Sequence, residues 1–295
     1  MTEQDLDQWL ESTESCDDNI DAGHIAKMAA TLGRSPLEAG DALPMLWHWG
    51  LFQQPEPYDQ LGADGHPETG GFLPPAGGGS RMWAGGQVEF IHPLLVGTPA
   101  TRKSSIQSIE QKEGRSGRLL VVTVEHEYVQ DYVACIREEQ QLVYREPAPL
   151  PQRDTDKVPE SEWSCLIKPD PVMLFRYSAV TFNGHRIHYD HEYVTRHEGY
   201  PGLVVHGPLI ATLMCREFTR AHRDKVPTLL RYRGLRPLIA PTPFSVGGRL
   251  LDPSAVEQDE EPDQESNKST DGGVAHLWAE QDGTLAHEAH LHFKP

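Results

Sequence analysis

The spacing of apolar positions changes character several times along the chain. Between residues 21 and 33, Ile25, Met28, Ala29 and Leu32 recur at i, i+3, i+4 and i+7 behind Asp21 and ahead of Gly33. That spacing predicts a short helix with a capping aspartate and a glycine stop. Residues 5–14 predict another short helix, and 42–52, apolar on every side, a third that is buried rather than superficial. Residues 53–86 then lose all periodicity and fill with Gly and Pro; a stretch of that length in a folded protein is functional or mobile. From 87 to 145 β-branched and aromatic residues take over. Strands are predicted over 88–91, 104–112, 119–129 and 132–144, with turns at 113–117 and at Gln130-Asp131. The Pro-rich, charged stretch 147–159 predicts a linker. Beyond it come a strand over 162–168, an apolar segment over 172–182, and an apolar run, Leu203 to Val205, leading into His206-Gly207-Pro208. There a helix is predicted to start, with Gly207 as N-cap and Pro208 in the first position, carrying Leu209, Ile210, Leu213, Met214 and Phe218. Strands over 229–235, 244–251, 275–280 and 286–293 follow. The acidic stretch 257–271 among them predicts a disordered loop.

The two halves share a pattern. Residues 92–99 (HPLLVGTP) and 236–243 (RPLIAPTP) repeat Pro-Leu-aliphatic-x-x-Thr-Pro at an offset of 144 residues, each before long strands. The repeat predicts a duplicated helix-then-sheet unit of α+β class, with domains over 1–150 and 160–295.

Composition narrows the possible partners. The 295 residues allow two domains of ordinary size, and 38% hydrophobic content allows a real core. No apolar run reaches the roughly 18 residues of a membrane span. The acidic start has no signal-peptide pattern, and Cys16, Cys135, Cys165 and Cys215 are scattered. The expectation is therefore a cytoplasmic protein with neither disulfide framework nor cysteine metal site. A net charge of −18 argues against nucleic acid and anionic membrane. An anionic ligand would need a local basic run, such as 112–118 or 231–236.

The chemistry concentrates in ten residues, 181–190, which hold Asn183, His185, Arg186, His188 and Asp190. The helix start at Gly207 lies shortly after, and a helix N-terminus offers unpaired N–H groups suited to an anion or oxyanion. Residues 175–190 (FRYSAVTFNGHRIHYD) with 203–209 (LVVHGPL) closely resemble the type-2 3-hydroxyacyl-thioester dehydratases, within the MaoC-like hydratase group. Residues 81–86 (RMWAGG) and 112–117 (KEGRSG) look like segments of two-domain bacterial members, which include mesaconyl-C4-CoA and itaconyl-CoA hydratases. The resemblance runs from about residue 40 to the end. It implies a double hotdog fold, two helix-wrapping antiparallel sheets fused in one chain. It also implies an acyl-CoA thioester substrate, with no cofactor beyond that CoA and no metal.

The wider group carries an aspartate, and a histidine five residues later, that together hold the attacking water. The matching positions here are Asn183 and His188, so the spacing is kept and the carboxylate is not. An amide cannot take a proton near neutral pH. His188 is then the expected general base, with His185 and Asp190 as substitutes and Asn183 either orienting water or forming a turn. Gly207 is the expected oxyanion donor. Arg81, Trp83, Arg186 and Arg233 are the expected substrate contacts, a guanidinium being the natural partner of a substrate carboxylate or a CoA phosphate. The resemblance implies hydration of mesaconyl-C4-CoA or itaconyl-CoA to citramalyl-CoA. Alternatives are dehydration of fatty 3-hydroxyacyl thioesters, thioester hydrolysis, a non-catalytic acyl-CoA binder, and a metal hydrolase built on His185, His188 and His191 or on His287, His290 and His292. The second half is expected to hold the chemistry and the first to cover it with loop 53–86. A fused pair can act alone or as a homodimer.

Overall fold

The computed structural model describes residues 6–75, 80–114, 117–145, 157–252 and 272–295. The acidic stretch 257–271, most of the linker 147–159, residues 115–116 of the turn at 113–117 and residues 76–79 of the Gly-rich loop lie outside the described residues.

The first half runs β1 (Thr13–Asp18), α1 (Ala22–Thr31), β2 (Ser80–Phe90), β3 (Ala100–Gly114), β4 (Gly117–Gln130) and β5 (Val133–Arg145). The second runs β6 (Trp163–Ile167), α2 (Pro171–Val180), α3 (His191–Arg196), α4 (Gly207–Ala221), β7 (Val226–Gly234), β8 (Phe244–Leu250), β9 (Gly273–Gln281) and β10 (Thr284–Lys294). All ten strands make one antiparallel sheet in the order β1-β3-β4-β5-β2-β7-β10-β9-β8-β6. The order is symmetric about the β2–β7 seam: what β1, β3, β4, β5 and β2 do in one half, β6, β8, β9, β10 and β7 do in the other.

Local chemistry repeats with the topology. β4–β5 and β9–β10 are both closed by two-residue turns with positive φ at each residue, Asp131-Tyr132 and Asp282-Gly283. Those are the primed turns whose twist suits a hairpin. The glutamine before each turn clamps the repeated Pro-Leu segment of its own half. Gln130 accepts from the Leu95 amide and donates to Leu95 and Thr98 carbonyls. Gln281 does the same with Ile239 and Thr242. The sequence repeat is thus the same anchor, used in both halves, between a loop and a hairpin.

The helices do not repeat in full. α1 forms as expected, with the Asp21 side chain accepting from the His24 amide and Gly33 at φ +65°. α4 is buried on nearly every side, including Leu209, Ile210, Leu213, Met214 and Phe218 at 2% exposure or less. Each such side chain contributes roughly 1.5–3 kcal/mol of burial. Its one buried acid, Glu217, is paired with Arg216 and Arg220. The first half has no counterpart of α4 among the described residues. The helix expected over 42–52 is only a 3₁₀ turn, Trp47–Gly50, because Leu46 and Phe52 take positive φ on either side. The helix expected over 5–14 is also absent: a 3₁₀ turn, Asp7–Trp9, precedes β1, whose Thr13–Asp18 pairs with β3. Tertiary pairing has overridden the local spacing there. Phe72 and Leu73 of the Gly-rich loop pack on Ile106, Val122, Val124, Leu142 and Tyr144, so the loop covers sheet in the first half. Its last residues, from Ser80, are strand rather than loop. No helix among the described residues is long and apolar enough to cross a membrane.

Candidate active site

The loop between α2 and α3 is folded by its own polar atoms. The Asn183 amide N–H donates to the Ser178 carbonyl (2.8 Å), and the Asn183 side-chain oxygen accepts from the His185 amide (2.9 Å). This turn, with Phe182 at φ +51°, points His185 and then His188 inward. Asn183 thus forms the turn through its oxygen, while its NH₂ and the oxygen's second lone pair are left to meet a water. A 3₁₀ turn, Arg186–His188, completes the loop, and Ile187 and Val204 pair through the Val204 amide (3.0 Å).

That pairing fixes His188. Its Nδ1 lies 2.7 Å from the Val204 carbonyl, which can only accept, so Nδ1 carries the proton and Nε2 keeps its lone pair. The ring is 6% exposed and stacks on His206 at 3.6 Å between centroids. Burial pushes the His188 imidazole down to about 4, against a smaller upward effect of the Val204 carbonyl. His206 is fully buried, bonds the Ser178 hydroxyl through Nε2 (2.8 Å), and is held well below its usual range by burial and by His188. His185 stands edge-on to His188 at 5.5 Å and is likewise lowered, first by burial and then by its histidine neighbours. All three are neutral at neutral pH.

A fourth imidazole comes from the first half. His66 lies 4.2 Å from His185, ring to ring, and its Nδ1 is 2.9 Å from Asp64 Oδ2. Burial would raise the Asp64 carboxyl, but the hydrogen bond and charge of His66 hold it below its usual value. The loop carrying both is built against the motif. Arg186 N–H donates to the Asp64 carbonyl (2.8 Å), and a Cβ on Gly65, at φ +90°, would sit 2.0 Å from the Gly184 carbonyl oxygen. Asp64, His66 and His185 bring three donor atoms within 4.8 Å of one another, the set this site offers a metal ion. His191, at the exposed start of α3, is not part of it.

The helix start is one residue earlier than expected. His206 is the N-cap, without a side-chain cap bond, so Gly207 and Pro208 are the first two helical positions. The Gly207 N–H thereby lies outside the helical ladder. What approaches the Gly207 α-carbon is Trp83: a Cβ there would meet the indole at 2.5 Å. Trp83 in turn stacks on Tyr232 (4.5 Å) and meets Trp49 edge-on (5.5 Å), an aromatic wall beside the helix end. Arg81, two residues earlier on β2, acts electrostatically on His66 and His185 and so belongs to the same region.

Two of the expected substrate arginines are otherwise engaged. Arg186 donates to Asp190 (2.7 Å) and to the Ala63 carbonyl (2.9 Å), and lies over the Tyr193 ring. It ties the two loops together rather than standing free, and Asp190, which also caps α3 through the Tyr193 amide, is no spare base. Arg233 neighbours Tyr232 on β7. Since Tyr232 faces Trp83, alternation puts Arg233 on the opposite face, where it pairs with Glu288. His66, Asp64 and His206 went unassigned from sequence; the visible signal was Asp64-Gly65-His66-Pro67, a charged pair inside a Gly/Pro-rich loop.

The model of the hydroxyacyl-thioester dehydratase type 2 family matches residues 46–240. A mesaconyl-C(4)-CoA hydratase of Chloroflexus aurantiacus is 44% identical over 255 residues, 84% of this chain and 90% of that protein. A mitochondrial hydroxyacyl-thioester dehydratase type 2 of Schizosaccharomyces pombe is 28% identical over 72% of this chain and 74% of its own. Among solved structures, a MaoC-like dehydratase superposes with a TM-score of 0.71 at 14% identity, covering 98% of this chain and 99% of that one.

Proposed function

This chain belongs to the type 2 hydroxyacyl-thioester dehydratases, and on that premise we propose that it hydrates mesaconyl-C4-CoA to citramalyl-CoA, with His188 as general base. The protein is a hydro-lyase acting on an acyl thioester. The observation that carries the role of His188 is its fixed tautomer: Nδ1–H is committed to Val204, and the neutral Nε2 is the atom able to take a proton. In hydration, Nε2 removes a proton from water as its oxygen bonds to the β-carbon. The π pair moves onto the thioester oxygen, and the proton then passes to the α-carbon as the thioester re-forms. A positioned acid/base of this kind is worth about 10²–10⁴ in rate. The Gly207 N–H is suited to the thioester oxygen; an oxyanion donor is typically worth about 10²–10³.

Trp83, Trp49 and Tyr232 form an apolar wall suited to a short acyl chain. Arg81 is the remaining guanidinium available to a substrate carboxylate, Arg186 and Arg233 being paired elsewhere. We place the enzyme in the cytoplasm. The test is a panel of mesaconyl-C4-CoA, itaconyl-CoA, crotonyl-CoA and a long-chain enoyl-CoA, with products resolved by mass. Mesaconyl-C4-CoA should be preferred, with free thiol remaining at background. Equal turnover of crotonyl-CoA would overturn the dicarboxylate assignment.

A further inference from the structure

Position 183 is an amide, yet a carboxylate reaches the same cluster from the other half of the chain. We propose that Asp64 and His66 complete this active site as positioning residues, Asp64 supplying the counter-charge for the imidazolium formed during turnover and His66 holding that carboxylate against the histidine cluster. The proposal rests on the hydratase reading above.

Three of the four rings have a distinct polar support. His188 leans on a carbonyl and His206 on a hydroxyl, while His66 is the one hydrogen-bonded to a carboxylate. A buried imidazole that must take a proton gains from a nearby negative charge, and burial alone opposes it. The groups facing the cluster are few. They are Asp64 and His66 on the loop, Arg81 on β2, Tyr144 on β5, Tyr193 on α3, Glu198 beyond α3, Tyr177 and Ser178 on α2 and His206 at α4. At His66, Arg81 opposes protonation and Glu198 favours it less than Asp64 does, so Asp64 is the principal anion. The loop is also registered on the motif, backbone against backbone, at Gly65 and Gly184 and through the Asp64 carbonyl and Arg186 amide. Its carboxylate is thereby held at a fixed place relative to His185.

The test compares Asp64→Asn and His66→Gln with the parent enzyme for kcat, KM, the pH dependence of rate, and thermal midpoint. NMR titration of the histidines is read in the same proteins. Asp64→Asn should lower kcat about tenfold with KM little changed, and move the acidic limb of the profile down by about one pH unit. The NMR titration of the cluster should move the same way. Adding Asn183→Asp to Asp64→Asn returns a carboxylate to the cluster and should recover part of the rate. Should Asp64→Asn melt early, His66→Gln keeps the bond from the residue-66 amide to Asp64 and is expected to reproduce the kinetic loss. Unmoved pH limb and histidine titrations, with kcat within about twofold, would overturn the proposal. So would activity lost to a chelator and restored by Zn²⁺, which would mark Asp64, His66 and His185 as a metal site. If the parent enzyme hydrates none of the thioesters, the hydratase reading fails, while the NMR titration still decides the role of Asp64.

Discussion

The pH dependence of the parent enzyme tests the base assignment most directly. His188 is the proposed acceptor, and burial holds its imidazole at about 4 rather than near 6.5. At pH 5.5 an ordinary imidazole is about 9% neutral, whereas one titrating at about 4 is about 97% neutral. The kcat/KM for mesaconyl-C4-CoA should therefore stay flat from pH 8 to about 5 and fall only below that. The assay is loss of enoyl-thioester absorbance in buffers of constant ionic strength. Three variants sharpen it. His188→Gln can still donate to the Val204 carbonyl, avoiding the roughly 1–3 kcal/mol cost of an orphaned buried acceptor that His188→Ala incurs. It should nonetheless lose about 10²–10⁴ in rate. Asn183→Asp places a carboxylate beside the cluster and should shift the acidic limb upward, since a negative charge favours the imidazolium. Asn183→Ala, which only loosens a turn, should cost less than either histidine change. A limb near 6.5 in the parent enzyme, or near-normal turnover by His188→Gln, would refute the assignment.

Gly207→Ala should impair both activity and stability, because the new methyl meets the Trp83 ring at 2.5 Å; Trp83→Phe in the same chain should relieve part of the loss, read by melting and rate. Glu138, 1% exposed, accepts from His48, Trp49, Tyr128 and Gln140; Glu138→Ala, leaving four buried donors without their acceptor, should cost about 3–5 kcal/mol by denaturant titration. Arg233→Ala should leave kcat/KM within about twofold, since its partner Glu288 lies across the sheet from the aromatic wall. His126, His188 and His287 each titrate near 4 when folded and near 6.5 when unfolded. The unfolded chain binds more protons in that window, so stability should fall as pH drops from about 6.5 to about 4.

The strands were legible because composition and turn signals agreed: β3, β4, β5, β9 and β10 cover the stretches rich in β-branched and aromatic residues, and the turn expected at Gln130-Asp131 sits one residue later, at Asp131-Tyr132. α1 was legible for the same reason, its cap, stripe and stop all agreeing. Residues 5–14 and 42–52 were not, because edge pairing with β3 and left-handed backbone at Leu46 and Phe52 are decided by neighbours far along the chain. At the site, a local motif exposed His185 and His188, which a turn of five residues holds together. Asp64 and His66 were hidden by distance, since over a hundred residues separate them from the loop they touch, and no spacing rule spans that gap. Arg186 and Arg233 were nominated by charge alone. Sequence reveals that a guanidinium is present, but its partner and its sheet face are settled only by the fold.

The symmetric sheet with a single long helix has one more consequence. In an assembly of two identical subunits, every substitution is written twice, so a change that reshaped one wall would also alter the copy that must keep its helix. Joining the halves in one chain removes that constraint. The first half has kept the hairpins and glutamine anchors that hold the sheet, while its interior carries a loop in place of the helix. A single gene can therefore alter the cover of the site while the residues of the α2–α3 loop stay fixed, and acyl preference can change by mutation in the half that does not carry His188.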